Sequence, residues 1–454
     1  MNVGSWATGV YTPKDVARRA DIQVSFNGIN ITDDISKNFI SLDFTDNEED
    51  EADDLQIKLA DREHIWIDKW LNEALQKAAT MVKTTVYAEG TDNSGDVYQV
   101  TPAIGLNVRS GPGTSYSRVG GLTCGTKVTV YEIKNGWAKI KHNGKDAYVS
   151  ASYLKKTDGS ADASGETKEV SGLLIQALII QRNWNSDGKD TVLDCGEFEL
   201  DSVKLSDGPS EVTIKGTSIP YATQIRQTQK SKAWEAYHLS GIAKEMAKAA
   251  GMGCMYLSSN DPYYKREEQY KTSDVAFLSR LCKDAGISLK FTNGCMVLFD
   301  QAEYEKMDSV TTIERGDGSY ISKPQFSTGK ADTQYQSCRV SYTDPATGKS
   351  ISGIAYIEDY DEKKKNNQQL EVTAKVSSAD EAKTLAAKRL RLHNKYEKTV
   401  SFTMVGDTRL VAGINVDLKG WGLFDGKYVI KSAKHAVGSS GYTTKIDLRP
   451  ALEG

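Results

Sequence analysis

The stretch 193-LDCGEFELDSVKLSDGPSEVTIKGTSI-219 decides the fold class. It reads as two strands, over 191–203 and 211–219. Glu197, Glu199 and Asp201 alternate only loosely with Phe198, Leu200 and Val203, but the β character is clear and no capped helix starts at Cys195. That matters chemically. A nucleophilic cysteine needs its pKa lowered, as at a helix N-terminus, and a histidine partner. A thiol inside a strand has neither, so the stretch belongs to a scaffold of strands.

Working outward, the same texture recurs. Strands are expected at 172–184 ahead of it, and earlier at 39–44, 54–61 and a hairpin from Ile22 through the Asn27-Gly28 turn to Ile31. Between two of them lies "DNEEDEADD" (46–54), with seven acids in nine residues. It lacks the residue order of a calcium loop, so it reads as a solvated, self-repelling turn. Spacing at Ile67, Trp70, Leu71, Ala74, Leu75 and Ala78 predicts a helix. Beyond 219 a helical section appears. One stripe runs Trp234, Leu239, Ile242, Met246 and Ala249 with Gly251 as its stop. A second runs Val275, Leu278, Leu281, Cys282 and Ala285, capped by Ser273 and ended by Gly286. The last third is mostly strands: a hairpin over 336–357, then one helix opened by the capping box Ser378-x-x-Glu381, then four more strands.

One segment differs from its surroundings. In "GLNVRSGPGTSY" (105–116) Leu106 and Val108 alternate with Asn107 and Arg109, and Gly111-Pro112-Gly113 breaks the strand. Strands follow at 127–133, 137–142 and 147–150, with turns at Asn135-Gly136 and Asn143-Gly144. Five or so short strands in about 60 residues make a small barrel. Polar Gly/Ser/Asp-rich linkers, 88–96 and 155–169, bracket it, so it reads as a module inserted into a host domain.

The 454 residues suffice for several cores. A net charge of −4 calls for no nucleic acid. The N-terminus has no apolar core of a secretory signal, and the longest apolar run, "LLIQALII" (173–180), is too short to span a bilayer. The expectation is a chain made in a bacterial cytoplasm, its six scattered cysteines free thiols.

Two resemblances follow from these residues. Residues 96–155, through LNVRSGPG, NGW and YVSASYL, resemble a bacterial SH3-like domain. In that family such modules often bind cell-wall peptides or sugars. The stretch quoted at the outset resembles a family too, together with "IAKEMAKAAGM", "SDVAFLSRLCKDAGI", "VAGINVDLKGWGLFDGKYVIKSAKH" and "GYTTKIDLR". Their order is similar to that of contractile-tail baseplate hub proteins: the phage late control gene D family and the hubs of tail-like bacteriocins. The resemblance implies a mainly β fold with α+β parts and two tube-like small barrels. Three chains close into a ring with a central channel, matching a sixfold tube to a threefold spike. It divides the chain into an N-terminal arm (1–19), a discontinuous first barrel (20–88 and 168–215), the SH3-like insert (94–157), a mixed middle domain (216–319) and a second barrel with one helix (320–454). It implies a non-enzymatic homotrimer contacting the tail tube protein, the spike protein and other baseplate proteins, assembled into a phage tail or released as a tail-like particle.

Enzyme readings are weaker. Asp194-Cys195 resembles the Asp-Cys start of NlpC/P60 cysteine peptidases only superficially. The histidines (64, 142, 238, 393, 435) stand in no zinc-hydrolase spacing, and His435 is expected to end a strand. No cofactor and no metal are expected. The candidate binding residues lie on the insert: Asn107, Arg109, Tyr116, Trp137 and Tyr148, aromatic platforms with polar anchors. Trp137 serves equally well closing the small core. The second functional reading is a cell-wall-binding accessory of a peptidoglycan hydrolase system, acting through this module.

Overall fold

The computed structural model describes residues 18–62, 96–156, 173–219, 225 and 228–452, except 27–28, 50, 101–105, 114–115, 117, 123–126, 143–144, 185–189, 330–334, 345–346, 359 and 364–366. The expected helix at 67–78 and both linkers lie largely or wholly outside the described residues, as does all but the end of the N-terminal arm. The described part is mainly β. One thirteen-stranded sheet runs in the order Ile29–Asn30, Arg19–Phe26, Leu174–Arg182, Thr191–Asp207, Ser210–Thr217, Asp54–Ala60, Phe39–Asn47, Gly426–Gly438, Gly441–Pro450, Lys398–Val405, Gln325–Thr328. Asn415–Lys419 pairs with Gly426–Gly438 as well, and Thr312–Glu314 with Asn415–Lys419.

The opening stretch is the middle of this sheet's first half. Its two runs form a hairpin, and the first run is longer than the sequence predicts, Thr191–Asp207. Alternation places Leu193 and Cys195 in a core with Val24, Ile175, Ile179, Ile57 and Leu42, and a β-bulge at Cys195–Gly196, with Gly196 at φ 92°, shifts the phase so that Phe198 joins the same core. The second half has a separate core around Val400, Phe402, Leu418, Ile430 and Ile446. Among the described residues one strand-to-strand join connects the halves: Phe39–Asn47 pairs antiparallel with Gly426–Gly438, setting Asp43 opposite Ala436 and Phe44 opposite His435.

Between the halves, helices Leu239–Ala249 and Asp274–Ala285 pack on the sheet Gly253–Leu257, Cys295–Phe299, Ser288–Thr292 around Leu239, Ile242, Leu278 and Leu298. Ser273 caps the second helix and Gly286 ends it in left-handed backbone, as expected. Trp234 is a correction. It lies in the strand Lys230–His238, opposite Glu267, and the helix begins only at Leu239. Residues 337–394 also stand apart from the second half. Strands Ser337–Thr343, Ser350–Tyr356 and Gln369–Thr373 carry helix Ala379–Asn394 on their own core, Cys338, Val340, Ala382, Ala386 and Leu390. The helix lies so close that a Cβ on Gly353 would fall 2.3 Å from the Lys383 amide nitrogen. The insert is a sheet of seven strands rather than five, with Val108, Val130, Ile140, Ala147 and Val149 inside. Its strand Arg118–Leu122 lies against Thr191–Asp207 of the host.

The acidic segment overturns its expectation. Asp46, Glu48 and Asp53 are buried, and each carboxylate meets a partner from a different part of the chain. Lys290 Nζ sits 2.5 Å from Asp46 and donates to the Asn47 carbonyl at 2.6 Å. Lys395, at the end of the long helix, pairs with Glu49. Arg449, fully buried in the last strand, binds Glu48 through Nε at 2.8 Å and through Nη2, and reaches Glu305 at 2.7 Å. Self-repulsion loses because cations far away in sequence supply the compensating charge.

His435 is corrected too. It sits inside its strand, fully buried, with Tyr442 Oη 2.8 Å from Nδ1 and the Leu410 carbonyl 2.9 Å from Nε2. Burial lowers its pKa to about 4.

Two outcomes follow. Arg449→Met should lower stability by about 3–5 kcal/mol, because Glu48 is then buried without its bidentate cation and Glu305 keeps only Arg391; an unchanged urea midpoint refutes this. For His435 the sign is set by a pKa lower in the native state than in the unfolded chain. From pH 6.5 down to 4 the unfolded chain takes up a proton that the native protein refuses, so stability falls by about 3 kcal/mol over that window. His435→Gln should remove this acid limb from the stability profile; identical pH slopes in both proteins contradict it.

Candidate functional site

The insert gathers its candidate residues on one part of its surface. In strand Lys145–Ser150, Ala147 and Val149 point into the core, which turns Tyr148 to the other face. Tyr148 lies between Arg109 on one neighbouring strand and Lys139 on the other, directly opposite each. Trp137 is paired with Ser150 and is half-buried. Asn107 sits two residues before Arg109, opposite Gly121. Directly opposed residues lie about 5 Å apart between Cβ atoms, so Tyr148, Arg109 and Lys139 form one contiguous patch.

Tyr116 explains the Gly-Pro-Gly turn. A Cβ on Gly111 would fall 2.3 Å from the Tyr116 ring, so only glycine lets that ring fold down over the turn. Arg109 Nη1 donates to the Tyr116 carbonyl at 2.9 Å, and the ring stays 48% exposed. Sequence reasoning missed Lys139, Lys141 and Asp146, which carry the patch outward through pairs of 2.9 and 2.6 Å. The period of two along 137–142 was the available signal. The arrangement presents two aromatic rings, a guanidinium and two ammonium groups to solvent. Such rings can stack on a flat group, and the guanidinium can pair with an anionic one.

Cys195 lies in a strand, and burial beside Asp194 pushes its thiol well up, the opposite of what a nucleophile needs. Among the described residues, no group of three or more His, Cys, Asp or Glu is placed to hold a metal ion, and no helix is long and apolar enough to cross a membrane.

The large sheet has a second face. Opposite its core run rows of polar side chains that cross the join between the halves. One row is Lys215, Gln56, Asp43, Ala436, Thr443 and Val405; the next is Asp54, Thr45, Lys434, Lys445 and Thr403. Lys434 pairs with Asp43 at 3.1 Å across the join itself. One continuous and largely polar wall, with Ala436 and Val405 as its apolar members, therefore belongs to both halves.

Residues 104–155 match the bacterial SH3 domain, and residues 220–441 match the phage tail baseplate hub (GPD) family. The curated relatives are partial. A Bacillus subtilis protein named as a candidate N-acetylmuramoyl-L-alanine amidase is 31% identical over 121 residues, 27% of this chain. The probable endopeptidase p60 of Listeria innocua is 50% identical over 67 residues, 14% of this chain. The chain spans only 21% and 14% of those proteins. Solved structures match over nearly the whole length. The 43 kDa tail protein of prophage MuSo2 from Shewanella oneidensis has a TM-score of 0.51 at 11% identity, with 95% of this chain and 97% of that one covered. A tail protein from Neisseria meningitidis has 0.53 at 10%, with the same coverage. At such identities the shared property is the fold. The chain thus carries a phage tail baseplate hub (GPD) domain at residues 220–441 and a bacterial SH3 domain at 104–155.

Proposed function

We propose that the chain is the trimeric adaptor between a sixfold tail tube and a threefold spike, in a contractile phage tail or a tail-like bacteriocin. The observation that carries this is the join of Phe39–Asn47 to Gly426–Gly438. It gives each chain two sheet halves side by side in one continuous wall, so three chains present six. The polar face crossing the join suits the lining of a central channel, because the opposite face is occupied by the two cores. The tail tube protein, the spike protein and other baseplate proteins are the partners this geometry calls for. The chain's own contribution is shape and charge, without hydrolysis.

A second reading, wall attachment through the SH3-like domain as an accessory of a peptidoglycan hydrolase system, draws on the Tyr148–Arg109–Lys139 patch and the partial relatives. The two are compatible if the insert faces outward from the ring and binds cell wall or a neighbouring baseplate protein.

Native mass spectrometry of the purified chain should give three copies per particle; a monomer sinks the adaptor. Replacing residues 94–157 by a short Gly/Ser linker should leave the trimer intact and weaken only wall or baseplate attachment. Loss of the host fold on that deletion removes the insertion reading. Gly111→Ala should lift the Tyr116 ring and reduce binding to purified cell wall without lowering the trimer fraction. Cys195→Ser should change no peptidoglycan cleavage, and a cleavage activity lost in that variant overturns the structural role.

A further inference from the structure

The insert carries a charge that its host does not share. Residues 96–156 hold nine lysines and arginines against three acids, a surplus of six positive charges. The rest of the chain holds 48 such cations against 58 acids, a surplus of ten negative charges. The overall −4 therefore hides a basic module on an acidic body. Two of the insert's acids are already engaged: Asp96 pairs with Lys156 at 2.7 Å, and Asp146 is shared by Lys139 and Lys141. Strand register gathers the cations on one face. Trp137, Lys139 and Lys141 alternate with the core residues Ala138 and Ile140, so all three lie on the outer side of Trp137–His142. Lys134, on the neighbouring strand, stands directly opposite Trp137. On the other side Tyr148 and then Arg109 extend the row of Lys139, and Glu132 closes it. Lys139 and Lys141, two residues apart on one strand, are separated by about 7 Å. The face thus offers a succession of cations across four strands and no single convergent pocket.

We propose that this face binds an anionic polymer of the cell wall, a chain of small carbon units joined by phosphodiesters, rather than the wall's peptides or neutral sugars. This rests on the wall-attachment reading above and names the ligand of that site. Charge and spacing carry the argument. One small anion is held by groups that converge on it; cations spread along a sheet face suit a ligand whose charge repeats. Lysine meets phosphate as a point charge and arginine as a fork, and both kinds are present. Each exposed pair contributes little, so the attraction grows with the number of phosphates engaged. Trp137 and Tyr148 supply apolar surface for the carbon units between the charges. Both rings are half-buried, whereas a nucleic-acid strand needs successive exposed rings on which its bases stack. The acidic host repels a polyanion everywhere else, which confines it to the insert.

The probe is fluorescent poly(glycerol phosphate), titrated against the full chain. Its affinity should fall roughly 20- to 50-fold between 50 and 200 mM salt, the single-strand scale for three or four phosphate contacts. Lys139→Gln combined with Lys141→Gln should weaken binding about tenfold and lower the salt slope by about 1.4, the share of two contacts. Both lysines are on the surface, so the urea midpoint should not move. Purified walls that carry phosphodiester polymers should retain the protein, and the same walls stripped of them with hydrofluoric acid should not. Equal retention by stripped walls, or a polymer affinity indifferent to salt and to both lysines, overturns the phosphodiester assignment and leaves wall attachment standing. An oligothymidylate of matched charge that binds more tightly than the polymer makes a nucleic acid the partner and overturns it too. Retention by neither wall preparation overturns the wall reading itself.

Discussion

Everything in the host fold converges on the charged junction beneath residues 46–53. Three cations reach it from three places: Lys290 from the middle sheet, Lys395 from the end of the long helix, and Arg449 from the last strand. Glu305 and Arg391 extend it to the short helix after the middle sheet. Removed from water, none of these charges is tolerable alone, so the relative positions of the parts are fixed by mutual need. Apolar packing holds each part together internally; ion pairs set how the parts meet. The long helix follows the same rule. Lys388 pairs with Asp300 at 3.1 Å and Arg389 pairs with Asp284, so residues 337–394 are moored to the middle unit largely by charge.

This division explains what was legible in the sequence. Strands and helices were, because their signals are local. The alternation around Phe198, the cap at Ser273 and the stop at Gly286 depend on neighbours a few residues away. Trp234 misled because a stripe of helical spacing ran backwards across the end of a strand, Lys230–His238, in which Trp234 is the one fully buried residue. The acidic segment was illegible for a different reason. Seven acids in a row of nine look self-repelling until the three cations that answer them, more than two hundred residues away, are brought in by the fold. No local pattern carries that information. His435 belongs to the same class, since its partners Leu410 and Tyr442 come from flanking segments that only the sheet aligns.

The candidate site was half legible. Its aromatic and polar residues were found one by one, but their adjacency comes from strand register, which places Tyr148 between Arg109 and Lys139. The two lysines of that patch gave no signal beyond alternation. The insert's attachment is also informative. It leaves the host after Asp54–Ala60 and returns before Leu174–Arg182, two strands on opposite sides of the Thr191–Asp207 hairpin. An extra module can be accepted there without breaking any ladder, because the connection belongs to a crossover and not to a turn between paired strands.

The pairing of Glu48 with Arg449 joins residues 401 positions apart. During synthesis the acidic segment leaves the ribosome 401 residues ahead of Arg449. The first half can collapse early around Val24 and Leu42, and the SH3-like domain can fold to completion while translation continues, since its contacts are local. The charged junction must wait, hydrated and open, until the final strand arrives. A chain truncated anywhere before Arg449 would therefore carry exposed, uncompensated carboxylates at the very place where its parts should lock. The junction therefore locks only once Arg449 has joined its carboxylates.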